Sequence, residues 1–270
     1  MAKTVNKIGA IAFMALQETL RRKVLYIVAI LGFFAVAIVG SGLVVLRMAT
    51  EAGELQAAEN ISSQFVQAVL GIWTSSGSFL AVFLGAVGIS SEVSGRTIVN
   101  VLSRPVERAV YLVGRWFGIV IFLVAFQILG ILIAMLIGGI FNVSFSASVW
   151  LGFLETFIRI VFYSGVSLAF SVIMPPVPAG ASAMLITALP FLVSELTRNP
   201  RWLLRLPATA VYYLSPARMP VDLIGDSFSK QLLHPDYALY AQVLAENTLY
   251  AVAVFVVACA IFSRRELRLR

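Results

Sequence analysis

The sequence predicts an all-α, polytopic membrane protein with six transmembrane helices, an N-terminal interfacial helix and a helix-bearing cytoplasmic loop. Two observations of composition lead there. Of 270 residues, 60% are hydrophobic and only 12% are charged, against roughly 25% charged in an ordinary soluble domain. The apolar residues also fall into runs of membrane-crossing length, which a water-soluble core does not need. A third observation sets the orientation. The net charge of +7 is carried by residues flanking the runs, as membrane insertion requires, so the basic balance is no sign of a nucleic-acid partner. The whole chain, 1–270, reads as one membrane domain.

Residues 1–23 are a basic lead-in. Ile8, Ile11, Ala12, Ala15, Leu16 and Thr19 recur at helical spacing, with Gln17 and Glu18 placed off that face. The pattern fits an amphipathic helix in the membrane interface, ending at Arg21-Arg22-Lys23, and equally the polar start of the first span. No short apolar core with a small-residue cleavage site follows the lysines, so no cleaved signal peptide is expected.

The first span is 24–46, whose 23 residues cover a hydrocarbon core of about 30 Å at about 1.5 Å per residue. Residues 47–64, with Glu51, Glu54 and Glu59, read as an outer loop. The second span, 65–89, has a polar middle, Thr74 to Ser78, whose hydroxyls can bond back to their own helix. Gly77, Ala81 and Gly85 form a small-xxx-small row that permits close helix contact. The third span, 117–140, repeats the device with Gly130, Ala134 and Gly138. After a short outer turn, the fourth span, 150–174, holds Glu155 and Arg159. At i and i+4 they share a helix face, and the spacing places them toward the outer end of the span. A structural ion pair and a gate both fit such intramembrane charge.

Met174-Pro175-Pro176-Val177-Pro178 reads as a tight inner turn into a short fifth span, 179–195, with Pro190 near its end. Seventeen residues barely cross, which suits a kinked or partly re-entrant helix. Residues 196–239 form a long outer loop with interfacial patches such as Trp202 to Leu206, read as short helices near the outer surface. The sixth span, 240–262, exits into a tail with four arginines. With both termini inside, inner segments hold 13 of the 20 Lys and Arg residues, outer loops hold six, and Arg159 is the remaining one. This imbalance supports six spans with cytoplasmic termini.

The long polar interruption between the second and third spans, 90–116, stands apart from the rest. It carries Glu92, Gly95, Arg96, Thr97, Leu102-Ser103-Arg104-Pro105, Arg108, Tyr111 and Gly114-Arg115, with Gly118 just beyond. Glu92 to Val101 suits a short helix, Arg104-Pro105 breaks it, and Glu107 to Arg115 restarts a helix that enters the next span. This order of residues resembles the first cytoplasmic loop of type-2 ABC transporter permeases, nearest in character to the copper-enzyme-maturation and related bacterial export permeases. In those relatives a Thr more often follows the Gly directly, whereas here Arg96 intervenes. The resemblance implies that the segment is a coupling helix docking on a separate ATP-binding subunit, with Glu92, Gly95, Arg96, Thr97, Leu102, Arg104 and Pro105 as its contact residues. It further implies an elbow helix at the N-terminus, and pairing with a second copy or a similar permease in the bacterial cytoplasmic membrane. ATP and Mg would then be held by the partner.

Other chemistries find little support. No G-x-x-x-x-G-K-[ST] phosphate loop occurs. The single His, His234, cannot build a two-His zinc site, and the single Cys, Cys259, forms no disulfide framework. Ser182 has no intramembrane His to act as its base. The chain therefore reads as a transport subunit rather than an enzyme, with no cofactor of its own. A free-standing secondary transporter or channel is the competing reading, and it would need ionisable residues deep in the bilayer. The substrate is not encoded in any motif.

Overall fold

The computed structural model describes residues 2–21, 55–94, 107–140, 147–197 and 237–264, together with residues 30, 34, 37, 38, 41, 42, 44, 45, 48 and 50. The described elements are helices, with no strand among them. They are α1 (Ala2–Arg21), α2 (Leu55–Ser94), α3 (Arg108–Ile140), α4 (Ala147–Ser171), α5 (Pro176–Thr197) and α6 (Tyr237–Arg264). Four of them are long and apolar enough to cross a membrane: α2, α3, α4 and α6. The apolar part of α5, Pro176–Leu189, is shorter. Of the first predicted span only scattered residues are described, all helical, and Ile38 and Gly42 among them pack on the early part of α2 near Phe65.

Helix boundaries do not coincide with the hydrophobic edges. α2 begins at Leu55, ten residues before the apolar run, so the second half of the predicted outer loop is helix instead. Its sequence, Leu55-Gln56-Ala57-Ala58-Glu59, consists of strong helix formers, and a helix stops for want of propensity or a cap, not where apolar residues run out. α3 likewise starts at Arg108, as the restart after Pro105 predicts. At the proline turn, the amides of Ile173 and Met174 both donate to the Phe170 carbonyl at 2.9 Å, and α5 starts at Pro176. Pro at the first helical position costs nothing, because its missing N–H would have had no intrahelical partner. α5 therefore begins three residues earlier than the apolar pattern suggests, and it continues past Pro190 to Thr197.

Small residues decide the packing of the bundle. α2 and α4 lie innermost, each with 61% of its apolar window buried, while the window of α6 is 6% buried. These two helices run in the same direction: Gly77 faces Ile160, Gly85 faces Ser164, Ser167 and Leu168, and the Ser167 hydroxyl donates to the Val82 carbonyl at 2.6 Å. α3 runs opposite to α2, with Gly130 against Trp73 and Ile119 against Gly88. The main core joins Leu80, Leu84 and Ile89 of α2 with Leu112, Phe122 and Leu123 of α3, Ile160 and Leu168 of α4, and Phe262 of α6. α5 packs through fully buried Ala183 into a second cluster with Val82 of α2 and Phe162 and Val166 of α4, and its Ala179 is fully buried as well. α6 leans on the main core through Phe255 against Trp116 and on the second cluster through Tyr250 against Phe162.

Candidate functional site

The base of the polar loop is built by three helices. α2 ends at Ser94 with Glu92 in its last turn, and α3 begins at Arg108. The predicted contact residues Gly95, Arg96, Thr97, Leu102, Arg104 and Pro105 lie outside the described residues, and of Glu92 only the helical backbone is described. Two turns into α3, Arg115 is buried. Its Nε donates to the Gly88 carbonyl of α2 at 3.0 Å, and its Nη1 donates to the Glu18 carboxylate of α1 at 2.5 Å. A single guanidinium therefore ties together the two helices that carry the loop and the N-terminal helix.

α1 fits this position because α3 has no side chain where they cross. A Cβ on Gly114 would lie 2.8 Å from Ile11 Cβ, and one on Gly118 would lie 2.6 Å from both the Ala12 carbonyl oxygen and Ala15 Cβ. Ala12, Ala15 and Thr19 form the buried face of α1, and the Thr19 hydroxyl satisfies itself on the Ala15 carbonyl at 2.9 Å. Phe13, Met14 and Leu20 remain exposed. The predicted periodicity thus describes the face that meets α3, with one correction. Glu18 does not point away. It follows Ile11 by seven residues, almost two full turns, so it emerges at the edge of the same face and reaches Arg115. A shallow recess beside the ion pair is lined by Ala15, Thr19, Phe83, Val87, Gly88 and Ile119 among others.

The two small-residue rows both lie at seams within the chain. Gly77 and Gly85 meet α4, and Ala81 between them is fully buried. At Gly85 the atoms met are mostly main chain, the Ser164 carbonyl oxygen at 2.7 Å and the Leu168 nitrogen at 2.9 Å. Gly130 carries the ring of Trp73 on its Cα, Ala134 is buried against a cluster with Val66, Val69 and Leu70 of α2, and Gly138 is buried.

Glu155 and Arg159 form a loose ion pair, Oε1 to Nη1 3.8 Å, with Glu155 buried. Arg159 is the central residue of the 25-residue α4, because the helix begins at Ala147 and ends at Ser171 rather than spanning 150–174. Sequence reasoning did not pick out the Glu18–Arg115 tie or a buried polar level around Trp73 and Gln127. The Gly114-xxx-Gly118 spacing was the available signal for the first. A Gln in an otherwise apolar run was the signal for the second. Among the described residues, no group of three or more His, Cys, Asp or Glu is placed to hold a metal ion. No family model matches the chain, and no curated protein matches it.

Proposed function

We propose that this chain is the membrane-spanning permease subunit of an ABC transporter, an exporter working in the bacterial cytoplasmic membrane on ATP hydrolysis in a separate subunit. The observation that carries the reading is the mounting of the 95–106 segment. The segment joins α2 to α3, and Arg115 bonds α3 to Gly88 of α2 and to Glu18 of α1 close below it. A push on such a segment moves three helices together instead of bending one loop. Its sequence combines apolar Ile98, Val101 and Leu102 with the charges of Arg96 and Arg104, the composition that docking in a partner's groove calls for. Six spans, cytoplasmic termini, a second permease copy and an N-terminal elbow helix complete the reading.

The test is capture of an ATP-binding subunit by the tagged permease from its native membrane, followed by ATPase measurement in nanodiscs. Glu92→Arg and Leu102→Asp should insert normally yet lose docking. A lost packed contact of this kind costs about 1–3 kcal/mol, or roughly ten-fold or more in affinity. If both variants capture and stimulate the ATPase like the parent, the coupling assignment is wrong.

One observation favours a second reading, a free-standing secondary transporter or channel. Arg159 sits at the middle of a span, where an ionisable group is costly and commonly functional. Transport by the purified chain in liposomes without any nucleotide would decide for it.

A further inference from the structure

α2, α3 and α4 bring polar side chains to one level in the middle of the bundle. A Cβ on Gly77 would lie 2.8 Å from Ile160 of α4 and 3.3 Å from Phe126 of α3, so these three residues share a level. Gln127 adjoins Phe126 in sequence, and Arg159 adjoins Ile160. Trp73, one turn before Gly77, stacks on Phe126 with ring centroids 4.5 Å apart. Trp73 and Gln127 are each 3% exposed. The indole Nε1 of Trp73, both amide atoms of Gln127 and the Nε of Arg159 are buried and have no hydrogen-bond partner among the described residues. Trp73 lies ten residues into the apolar window that starts at Ser63, about 15 Å along the helix and so near mid-depth of a core about 30 Å thick.

None of these groups bonds another, and the two lone pairs of the Gln127 oxygen could take at most two of their four N–H groups. Trp73 Nε1 and Arg159 Nε only donate, and the Gln127 amide donates twice from nitrogen and accepts on a single oxygen. Glu155 faces the other side of the guanidinium, at Nη1. No helix carbonyl among the described residues accepts from them. The surplus of N–H groups calls for small acceptor oxygens that the described residues do not supply, and a water molecule, which both accepts and donates, also suits the Gln127 oxygen. We infer that Trp73, Gln127 and Arg159 hold ordered water between α2, α3 and α4, making a buried hydration site at the centre of the bundle. The site goes beyond the transporter reading and stands without it.

The test is pulsed radiolytic footprinting of the full chain in lipid nanodiscs, read by mass spectrometry. Radiolysis makes hydroxyl radicals from bound water in place, so a side chain beside trapped water is oxidised whatever its exposure. Tyr111, 4% exposed, is the comparator. Trp73 should be oxidised about ten-fold faster than Tyr111, and Gln127→Leu or Arg159→Met should bring it down to the Tyr111 rate. Equal rates for Trp73 and Tyr111 in the parent would overturn the site even if neither variant folds. A fast Trp73 that both variants leave unchanged would overturn the assignment to these residues. The assay needs no ATP-binding partner, so its outcome is separate from that of the docking experiment.

Discussion

Arg115 and Glu18 meet at 2.5 Å across 97 positions of sequence. The pair is asymmetric: the Arg115 side chain is 8% exposed and that of Glu18 is 39% exposed. Charge removal should therefore be felt unequally. Glu18→Gln takes a countercharge from a buried guanidinium, while Arg115→Met leaves a carboxylate that water can still reach. The half-open Glu18 side lowers the value of the pair below that of a fully buried one. Glu18→Gln should cost about 1–3 kcal/mol, and the double variant Glu18→Gln/Arg115→Met less than the two singles together. Thermal unfolding of all four proteins in detergent checks this, and strict additivity would mean that the pair carries no coupling.

Close approach at Gly85 makes a sharper case. Its missing Cβ leaves room for main-chain atoms of α4, which cannot turn aside as a side chain can. Gly85→Ala should force α2 and α4 apart at a cost of about 1–3 kcal/mol. Gly71→Ala, where a Cβ would meet nothing within 4 Å, should be neutral or stabilising by up to about 1 kcal/mol, the gain of Ala over Gly in a helix. Comparison of their melting temperatures with the parent separates a packed seam from a general helix effect.

Hydroxyls in the bundle divide into two kinds. Ser167 reaches from α4 to the Val82 carbonyl of α2, whereas Ser171 bonds only back to Leu168 of its own helix, at 2.7 Å. Ser167→Ala should destabilise by about 0.6 kcal/mol, the usual value of an interhelical bond in a membrane protein. Ser171→Ala should change stability by less. Chemical denaturation in mixed micelles has the precision to rank them, and a reversed order would show that the Ser167 contact contributes nothing net.

Topology is open to direct measurement. A reporter active only in the cytoplasm should work when fused after Pro105 or Arg270 and fail after Asp226. Gln56, on the far side of the first span, should also give a silent fusion, although it lies in the first turn of α2 rather than in an open loop. Reporter activity after Asp226 would remove the six-span arrangement.

Hydrophobic composition and run length were enough to determine that the chain is helical and has helices able to cross a membrane, because burying a backbone in lipid leaves few alternatives to the helix. The proline turn and the helical restart after Pro105 were legible for a similar reason, since Pro restricts the chain locally, whatever surrounds it. The small-residue rows were visible as spacings, but spacing does not say which helix comes close. Only tertiary packing decided that Gly85 faces the α4 main chain and that Gly130 carries Trp73. Helix ends at Leu55 and Ala147 were missed because apolar content measures where a helix meets lipid, whereas propensity and capping determine where it ends. Glu18 was read as pointing away because its partner lies 97 residues on, and no local pattern records a contact made at that distance. That Trp73, Gln127 and Arg159 carry buried nitrogens without partners among the described residues became visible for the same physical reason: three helices had to pack before the surroundings of those side chains were fixed.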